Sequence, residues 1–505
     1  MAIVIAMSLA ACMVGPDYRR PEVQVPEGFK EGVDWQRAQA NPQAAISSTW
    51  WRMYGDDKLN GLVEQALRAN QSIVAAEAAY RVALATVEAN RAGLFPTVTA
   101  GLSGGRAGGN LGGLQGLGSG TSSPPSNSVV VSGTVSWELD LWGQIRRQIE
   151  AAKANAQSSD AQLAGERISI AASVATDYFQ LRQADVNIRM LTEQQDIYGR
   201  ILVMTQIGFK EGQASGDDVL NAQENLQTVI ADLQTIEISR EQNEHAIAVL
   251  TGTPPGAFSI APDPDYKFVS PDVPPALPSQ LLERRYDVVS AERTAAAANA
   301  SIGVAEAAFF PTLTLSAEGG FAHNTFAHLF SLPSRFWTLG PDLAGTLFDG
   351  GERTAAVHGA RATYDEDVAN YRNTVLTAFQ SVEDSLSSMN HLRAQAEAFA
   401  GVYDNSSRLF ASQQAQFNAG AASEQNVLTQ RLTLIQAEES LRDTQAQLAE
   451  SNVLLVKNLG GGWQRDDANV ASAPSAPSAA SMPASSGSLP VPDAVVQPAA
   501  QPSAD

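Results

Sequence analysis

Among 505 residues there is a single cysteine, Cys12. That excludes an intrachain disulfide and any cysteine-rich metal site. Histidine is nearly as scarce. His245, His323, His328, His358 and His391 show no ligand spacing, although His323 and His328 fall in one expected loop, and no metal site is expected from them. The glycine-rich stretch 104–120 lacks the Lys-Ser/Thr of a phosphate loop. With no other enzyme signature, neither catalysis nor a cofactor is expected. No unbroken apolar run reaches the ~18–20 residues of a transmembrane helix, so any passage through a membrane has to be built from β-strands. Basic residues number 33 against 54 acidic ones, for a formal net charge of −21. A chain this acidic offers no phosphate-binding surface for nucleic acid, and its acidity argues against docking on an anionic membrane leaflet. The hydrophobic content of 44% still allows a large core.

The one cysteine sits in an informative context. A largely apolar stretch from Met1 to Leu9 leads into Leu9-Ala10-Ala11-Cys12, with small residues ahead of the thiol. This resembles a bacterial lipobox, in which residues 1–11 are removed as a signal peptide and Cys12 is acylated. The plainer alternative is a buried cysteine behind an ordinary signal peptide. No Lys or Arg precedes the apolar stretch, the positive start a secretion signal needs, so a start codon upstream of Met1 is one expectation and is left open. Met13 is not the Asp that would hold a lipoprotein in the inner membrane.

The chain is an internal duplication. Leu94-Phe95-Pro96-Thr97-Val98-Thr99 matches Phe309-Phe310-Pro311-Thr312-Leu313-Thr314, and Leu141-Trp142-Gly143 through Arg146 resembles Leu347-Phe348-Asp349 through Arg353. Phe209, Gly212, Ser215, Val219 and Leu220 match Phe417, Gly420, Ser423, Val427 and Leu428. Each copy reads as a helix (59–91; 281–308) ended by a Phe-Pro step, then a strand pair (96–141; 311–347). A long helix (143–209; 351–417), a glycine turn and a returning helix (217–250; 424–459) follow. The Gly/Ser-rich stretch 104–128 reads as a loop by composition. The returning helices carry heptads, Val219, Leu226, Leu233 and Ile247 with Ala222, Val229, Ile236 and Leu250 in one, and Val427, Leu434, Leu441, Leu448 and Leu455 in the other. Such spacing suits a coiled-coil seam, although a globular helix with one apolar face remains an alternative. A helix of ~65 residues would be ~100 Å long.

The strands alternate. Val131, Gly133, Val135, Trp137, Leu139 and Leu141 share one face against Ser132, Thr134, Ser136, Glu138 and Asp140. Leu313, Leu315 and Ala317, and then Trp337, Leu339, Leu343 and Leu347, repeat the pattern. This is the pattern of a membrane barrel strand, or of a half-buried soluble sheet. Four strands cannot close a barrel, which needs at least ~8. Three chains would supply twelve. The expected organisation is an extended N-terminal segment 12–57, a first repeat 58–252, a Pro-rich linker 253–276, a second repeat 277–463, and an Ala/Ser/Pro tail 464–505 unable to order itself.

These residues resemble the TolC-like outer membrane factors, in the lipoprotein branch serving resistance-nodulation-division (RND) efflux systems. The resemblance rests on Cys12 with Val14-Gly15-Pro16-Asp17-Tyr18, on Trp50-Trp51, Asp56 to Leu62 and Asn70, and on Leu277 through Arg285. It continues through Ala291-Glu292-Arg293, Ala298 through Gly303, Ala307 through Pro311 and Leu459 through Trp463. The family usually has Pro where Tyr286 stands. The resemblance implies a homotrimer with a twelve-stranded outer-membrane β-barrel, four strands per chain, continued by a periplasmic α-helical barrel of long coiled-coil helices. It also implies a periplasmic adaptor and an inner-membrane RND-type pump as partners, with an acylated Cys12 in the outer membrane. The expected activity is an efflux exit duct. Protein secretion with an ATP-driven transporter (type I secretion) and a poreless periplasmic scaffold are the alternatives.

The tip turns carry the candidate site. Family members often place an acidic ring six and nine residues past the second tip glycine. Those positions here are Asn426 and Thr429, so an acidic aperture would fall to Asp217, Asp218 and Glu424. The same carboxylates also read as helix N-terminal acids. Gly212, Ser215, Val219, Leu220, Gly420, Ser423, Val427 and Leu428 are the candidate adaptor-docking residues. The glycines also read as helix-ending left-handed residues.

Overall fold

A computed structural model describes residues 13–26, 28–32, 46–109, 123–273 and 284–463. Cys12 and the signal segment, the centre of the Gly/Ser stretch, Leu277 to Glu283, and the tail 464–505 lie outside the described residues. The helices are α1 (Asp57–Ala69), α2 (Gln71–Ala92), α3 (Gln144–Lys210), α4 (Gly216–Leu250), α5 (Tyr286–Ala307), α6 (Glu352–Asn418) and α7 (Glu424–Asn458). The strands are β1 (Thr97–Gly109), β2 (Ser123–Leu139), β3 (Thr312–His323) and β4 (Arg335–Ala344). Both long helices, α3 and α6, have 67 residues, and both returning helices have 35.

Three boundaries differ from the sequence reading. The first helix is broken into α1 and α2 at Asn70. Its side-chain oxygen accepts from Ser72 N and Ile73 N and caps α2, while its amide donates to Leu250 O at 2.9 Å. A capping Asn adopts extended backbone and so interrupts a run of good helix formers. Strand pairing also reaches into the Gly/Ser stretch, with Gly105 opposite Ser128 and Arg106 opposite Asn127. A ladder needs only backbone donors and acceptors, so composition alone did not reveal it. Finally, Leu141 and Leu347 fall outside the strands. Thr312, the first residue of β3, is already opposite Ala344, which leaves Leu347 no ladder partner and fully exposed.

The repeats superimpose in their joints. Asn70 ties α2 to the carbonyl of Leu250, and Arg285, at the matched position before α5, ties to the carbonyl of Asn458 at 3.0 Å. Gly252 and Gly460 follow the returning helices at positive φ. A Cβ on either would meet the Ala69 or Arg284 carbonyl oxygen at 2.6 or 2.5 Å, so only glycine fits.

The four strands form one antiparallel sheet in the order β1-β2-β3-β4. Beside the sheet the helices continue in the order α2-α3-α5-α6, and farther along α3 and α6 the order becomes α4-α3-α7-α6. Midway lies the main core, where Trp50, Tyr54, Tyr178 and Phe179 pack with Leu59, Val174 and Val456. Asp56 caps α1 through Lys58 N and Leu59 N, and its second oxygen accepts from Tyr178 and Tyr266 hydroxyls at 2.7 and 3.1 Å. The linker is pinned onto this core. Asp185 lies between Arg182 and Arg240 at 2.8 and 2.6 Å, and the two guanidiniums donate onward to the linker carbonyls of Ala261 and Ile260. The N-terminal strap, residues 13–26 and 28–32, starts on the first repeat, where Val14 N donates to Trp142 O and Arg147 donates to the Val14 and Gly15 carbonyls and to Asp17, and then crosses the second. Tyr18 donates to Glu292, Arg20 to Tyr371, and Glu383 accepts from the backbone of Lys30 and Glu31.

Candidate functional site: the sheet face and the helix tips

Ladder register joins the alternating residues into one apolar face. Val98 is opposite Val135, Leu102 opposite Val131, Trp137 opposite Leu315, Leu139 opposite Leu313, and Leu313 opposite Leu343. Leu102, Trp337, Leu339 and Leu343 are exposed, Leu339 at 75%. Bare apolar residues over a whole sheet face are unfavourable in water and suited to lipid. The other face carries Thr99, Thr134 and Glu318. Among the described residues β1 and β4 each keep one unpaired edge, which a protein normally covers. No described helix is long and apolar enough to cross a membrane.

At the opposite end the long helices turn back. Gly212 and Gly420 have φ of +76° and +73°. The following amides reach back into the helix, Gln213 N to Gly208 O and Ala421 N to Gln416 O, at 2.7 and 2.8 Å. Both glycines are thus left-handed helix ends. Ser215 and Ser423 cap the returning helices by accepting from Asp218 N and Asn426 N. In the first repeat the cap is reciprocal, because Ser215 N and Oγ both donate to the Asp218 carboxylate at 2.8 Å. Those bonds hold the Asp218 carboxyl below the usual carboxylate range.

The three candidate acids therefore differ. Asp217 is exposed with no side-chain partner among the described residues, Asp218 is exposed and engaged in its cap, and Glu424 forms an ion pair with Arg200. Asn426 and Thr429 are exposed and uncharged. The matched apolar pair also diverges. Leu220 is 63% exposed, whereas Leu428 is 6% exposed and packs with Met190, Ile197 and Ile435. Val219 is half-buried and Val427 buried.

A ladder of polar pairs between α3 and α7 escaped the sequence reading. After Glu424 and Arg200, Arg431 makes a bidentate pair with Glu193 at 2.6 and 2.9 Å, and Glu438 pairs with Arg189 at 2.8 Å. Asp443 then accepts from Gln183 and Asn187. Glu424, Arg431 and Glu438 are spaced by heptads, a signal present in the sequence beside the apolar one. His323 and His328 lie together, rings 5.7 Å apart, but no described cluster of three or more metal-ligating side chains exists.

A sheet with a bare apolar face, set on helices about 100 Å long, defines the wall of an outer-membrane channel. The outer membrane efflux protein family model matches residues 62–253 and 277–461, and the chain belongs to that family. It is 31% identical over 464 residues to the probable efflux pump outer membrane protein TtgC of Pseudomonas putida, covering 91% of this chain and 94% of that one. Nodulation protein T of Rhizobium leguminosarum is 29% identical over 480 residues, 92% of this chain and 93% of that protein. Among solved structures, the outer-membrane channel OprN matches at TM-score 0.78 and 29% identity, over 90% of this chain and all of that one. The open state of the Neisseria gonorrhoeae MtrE outer membrane channel matches at 0.75 and 26%, over 90% and 99%. The protein is thus an outer-membrane efflux channel component with a large periplasmic helical part, in a family of transport proteins rather than known enzymes.

Proposed function

We propose that three copies of this chain form the exit duct of a tripartite efflux pump, receiving cargo from a periplasmic adaptor and an inner-membrane RND-type pump. The observation that carries this reading is the four-stranded sheet with an apolar outer face and two open edges. Joining β4 of one copy to β1 of the next leaves no edge, and three copies make a twelve-stranded barrel. The order α2-α3-α5-α6 leaves helix edges on the same two sides, so one rotation serves both layers. The purified protein should behave as a trimer and conduct ions across a planar bilayer. A monomer that passes no current would sink the proposal.

Acylation of Cys12 anchors each copy in the outer membrane. Labelled palmitate should appear on the wild type and vanish in Cys12→Ala. Asp217 and Asp218, tripled by symmetry, make a negative aperture that favours cations, while Arg200 offsets the charge of Glu424. The Asp217→Asn/Asp218→Asn channel should lose cation preference in reversal-potential measurements, and an unchanged potential removes this role. Adaptor docking uses Gly212, Ser215, Val219, Leu220, Gly420, Ser423, Val427 and Leu428. The exposure of Leu220 against the burial of Leu428 supports first-repeat side chains as the direct contacts.

A further inference from the structure

A cleft of about 660 Å³ opens where the sheet gives way to the helices. Four cations line it: Arg91 from the end of α2, Arg146 and Lys153 from the first turns of α3, and Arg293 from α5. Two of them are neutralised. Arg146 pairs with Asp140 at 3.0 Å, and Arg293 pairs with Glu292. Glu150, the one acid lining the cleft, is engaged by Arg147 at 2.7 Å. Among the described residues the side chains of Arg91 and Lys153 have no acidic or hydrogen-bonding partner. Arg147 is shared with Asp17 at 3.1 Å, and the cleft holds two positive side chains, Arg91 and Lys153, that no described carboxylate pairs, in a chain whose net charge is −21. Leu94, Phe95 and Ile149 supply an apolar surface beside them, and Phe95 is 68% exposed.

The position of the cleft matters as much as its charge. Phe95 lies two residues before β1, and the apolar sheet face begins at Val98 and Leu139. Met13, the residue after Cys12, also lines the cleft, and it packs so closely on Gly143 that a Cβ there would fall 2.4 Å from it. The cations thus lie at the periplasmic border of the lipid-facing band, on the side of the protein where the N-terminus emerges. Phosphates of the inner leaflet occupy that level in an outer membrane.

We infer that this cleft binds the phosphodiester headgroup of an anionic glycerophospholipid from the inner leaflet, one per protomer. Arg91 and Lys153 hold the phosphate by charge-assisted hydrogen bonds, and Leu94 and Phe95 lie along the glycerol and first methylenes. The acidity of the whole chain opposes general adsorption to an anionic bilayer, so the contact has to be a built, local one. The inference rests on the outer-membrane placement of the sheet but not on acylation of Cys12.

The test uses the full chain, purified in detergent and titrated calorimetrically with dihexanoyl phosphatidylglycerol, dihexanoyl phosphatidylcholine and inorganic phosphate. Phosphatidylglycerol should bind saturably at one per protomer, tighter than either of the others. Arg91→Ala and Lys153→Ala should each weaken it about tenfold, the size of a lost charged hydrogen bond. Arg68→Ala, an exposed arginine of α1, should leave it unchanged, as should Cys12→Ala, so a missing lipid anchor would not be mistaken for a missing lipid site. Equal binding of phosphatidylcholine, or insensitivity to both cleft substitutions, overturns the inference. Inorganic phosphate binding as tightly as the lipid does so too, by reducing the cleft to a plain anion site.

Discussion

The long helices α3 and α6 have the same length and matched places in the two repeats, yet they are not equally covered. With the 208-residue offset between their starts at Gln144 and Glu352, one stripe is buried in both: Leu163 and Tyr371, Ile170 and Ala378, Val174 and Val382, Tyr178 and Leu386, Leu181 and Met389. Away from that stripe they part. Ile168 is 7% exposed, and its counterpart Leu376 is 63% exposed. The cause is the neighbourhood rather than the helix. α3 has helix partners on both sides along its whole length, while α6 has its main helix contacts with α5 and α7, on one side, and the strap beside them. A duplicated unit at the edge of a layer keeps the apolar residues of its covered twin, and in this protein the cover would come from another copy of the chain. The returning helices differ in the opposite sense. α7 holds α3 by Glu424, Arg431 and Glu438, whereas the matched positions on α4 are Gly216, Gln223 and Ile230.

Several substitutions press on this difference. The largest effect is expected from Ile168→Asp, which buries an unpaired carboxylate at a cost of about 3 kcal/mol or more and should abolish folded protein. Leu376→Asp at the twin position should keep helical circular dichroism but yield monomers on size-exclusion chromatography. Equal behaviour of the two would break the comparison. Next is Asp185→Ala, which strands Arg182 and Arg240 and should cost about 3–5 kcal/mol in denaturant unfolding. Second-repeat positions Asn390 and Arg393, which match Arg182 and Asp185, hold no such buried pair, and Arg393→Ala should cost well under about 1 kcal/mol.

Asn70→Ala removes the α2 cap and should cost about 1–2 kcal/mol, measured the same way. A pH test follows from Asp177, whose counterpart is the uncharged Ser385. Burial pushes the Asp177 carboxyl up to about 6 from 3.8. Between those values the folded chain holds a proton that the unfolded chain has released. Its contribution to stability therefore falls as pH rises through that window and is flat above it. Asp177→Asn should flatten that slope and raise the melting temperature at pH 7.5, with no gain at pH 4. The smallest effect on stability, about 1 kcal/mol or less, is expected for Arg431→Ala. It should still raise the open fraction in single-channel recordings, because it removes a rung of the α3–α7 ladder. Gln223→Ala on the twin helix should leave gating alone.

Much of this was legible in the sequence because backbone chemistry is local. Pro96 and Pro311 stop helices, Gly212 and Gly420 turn them, and period-2 alternation marks the strands. The lipid-facing face followed from the same alternation once register aligned it. Other features depend on partners far along the chain. Asn70 looks like one more polar residue in a helix until Leu250 O is brought to it. The acids at the tip read alike as letters, and only the positions of Arg200 and Ser215 separate a compensated charge, a capping charge and a free one. The strap's Val14-Gly15-Pro16-Asp17-Tyr18 matched the family as letters without showing where it lies, since its bonds run to Arg147 on α3 and to side chains on α5 and α6 far along the chain.

That strap also orders events in time. Glu31 O accepts from Asn390 across 359 residues, and Tyr18 reaches Glu292 across 274. The first part of the chain to leave the ribosome thus finds its binding groove only after α5 and most of α6 have been made. Closing so large a loop is entropically slow, whereas Val14 and Gly15 have their partners, Trp142 and Arg147, as soon as α3 is begun. The strap is in that sense a clock as well as a fastening, because its full closure records that the chain has been made as far as the middle of α6.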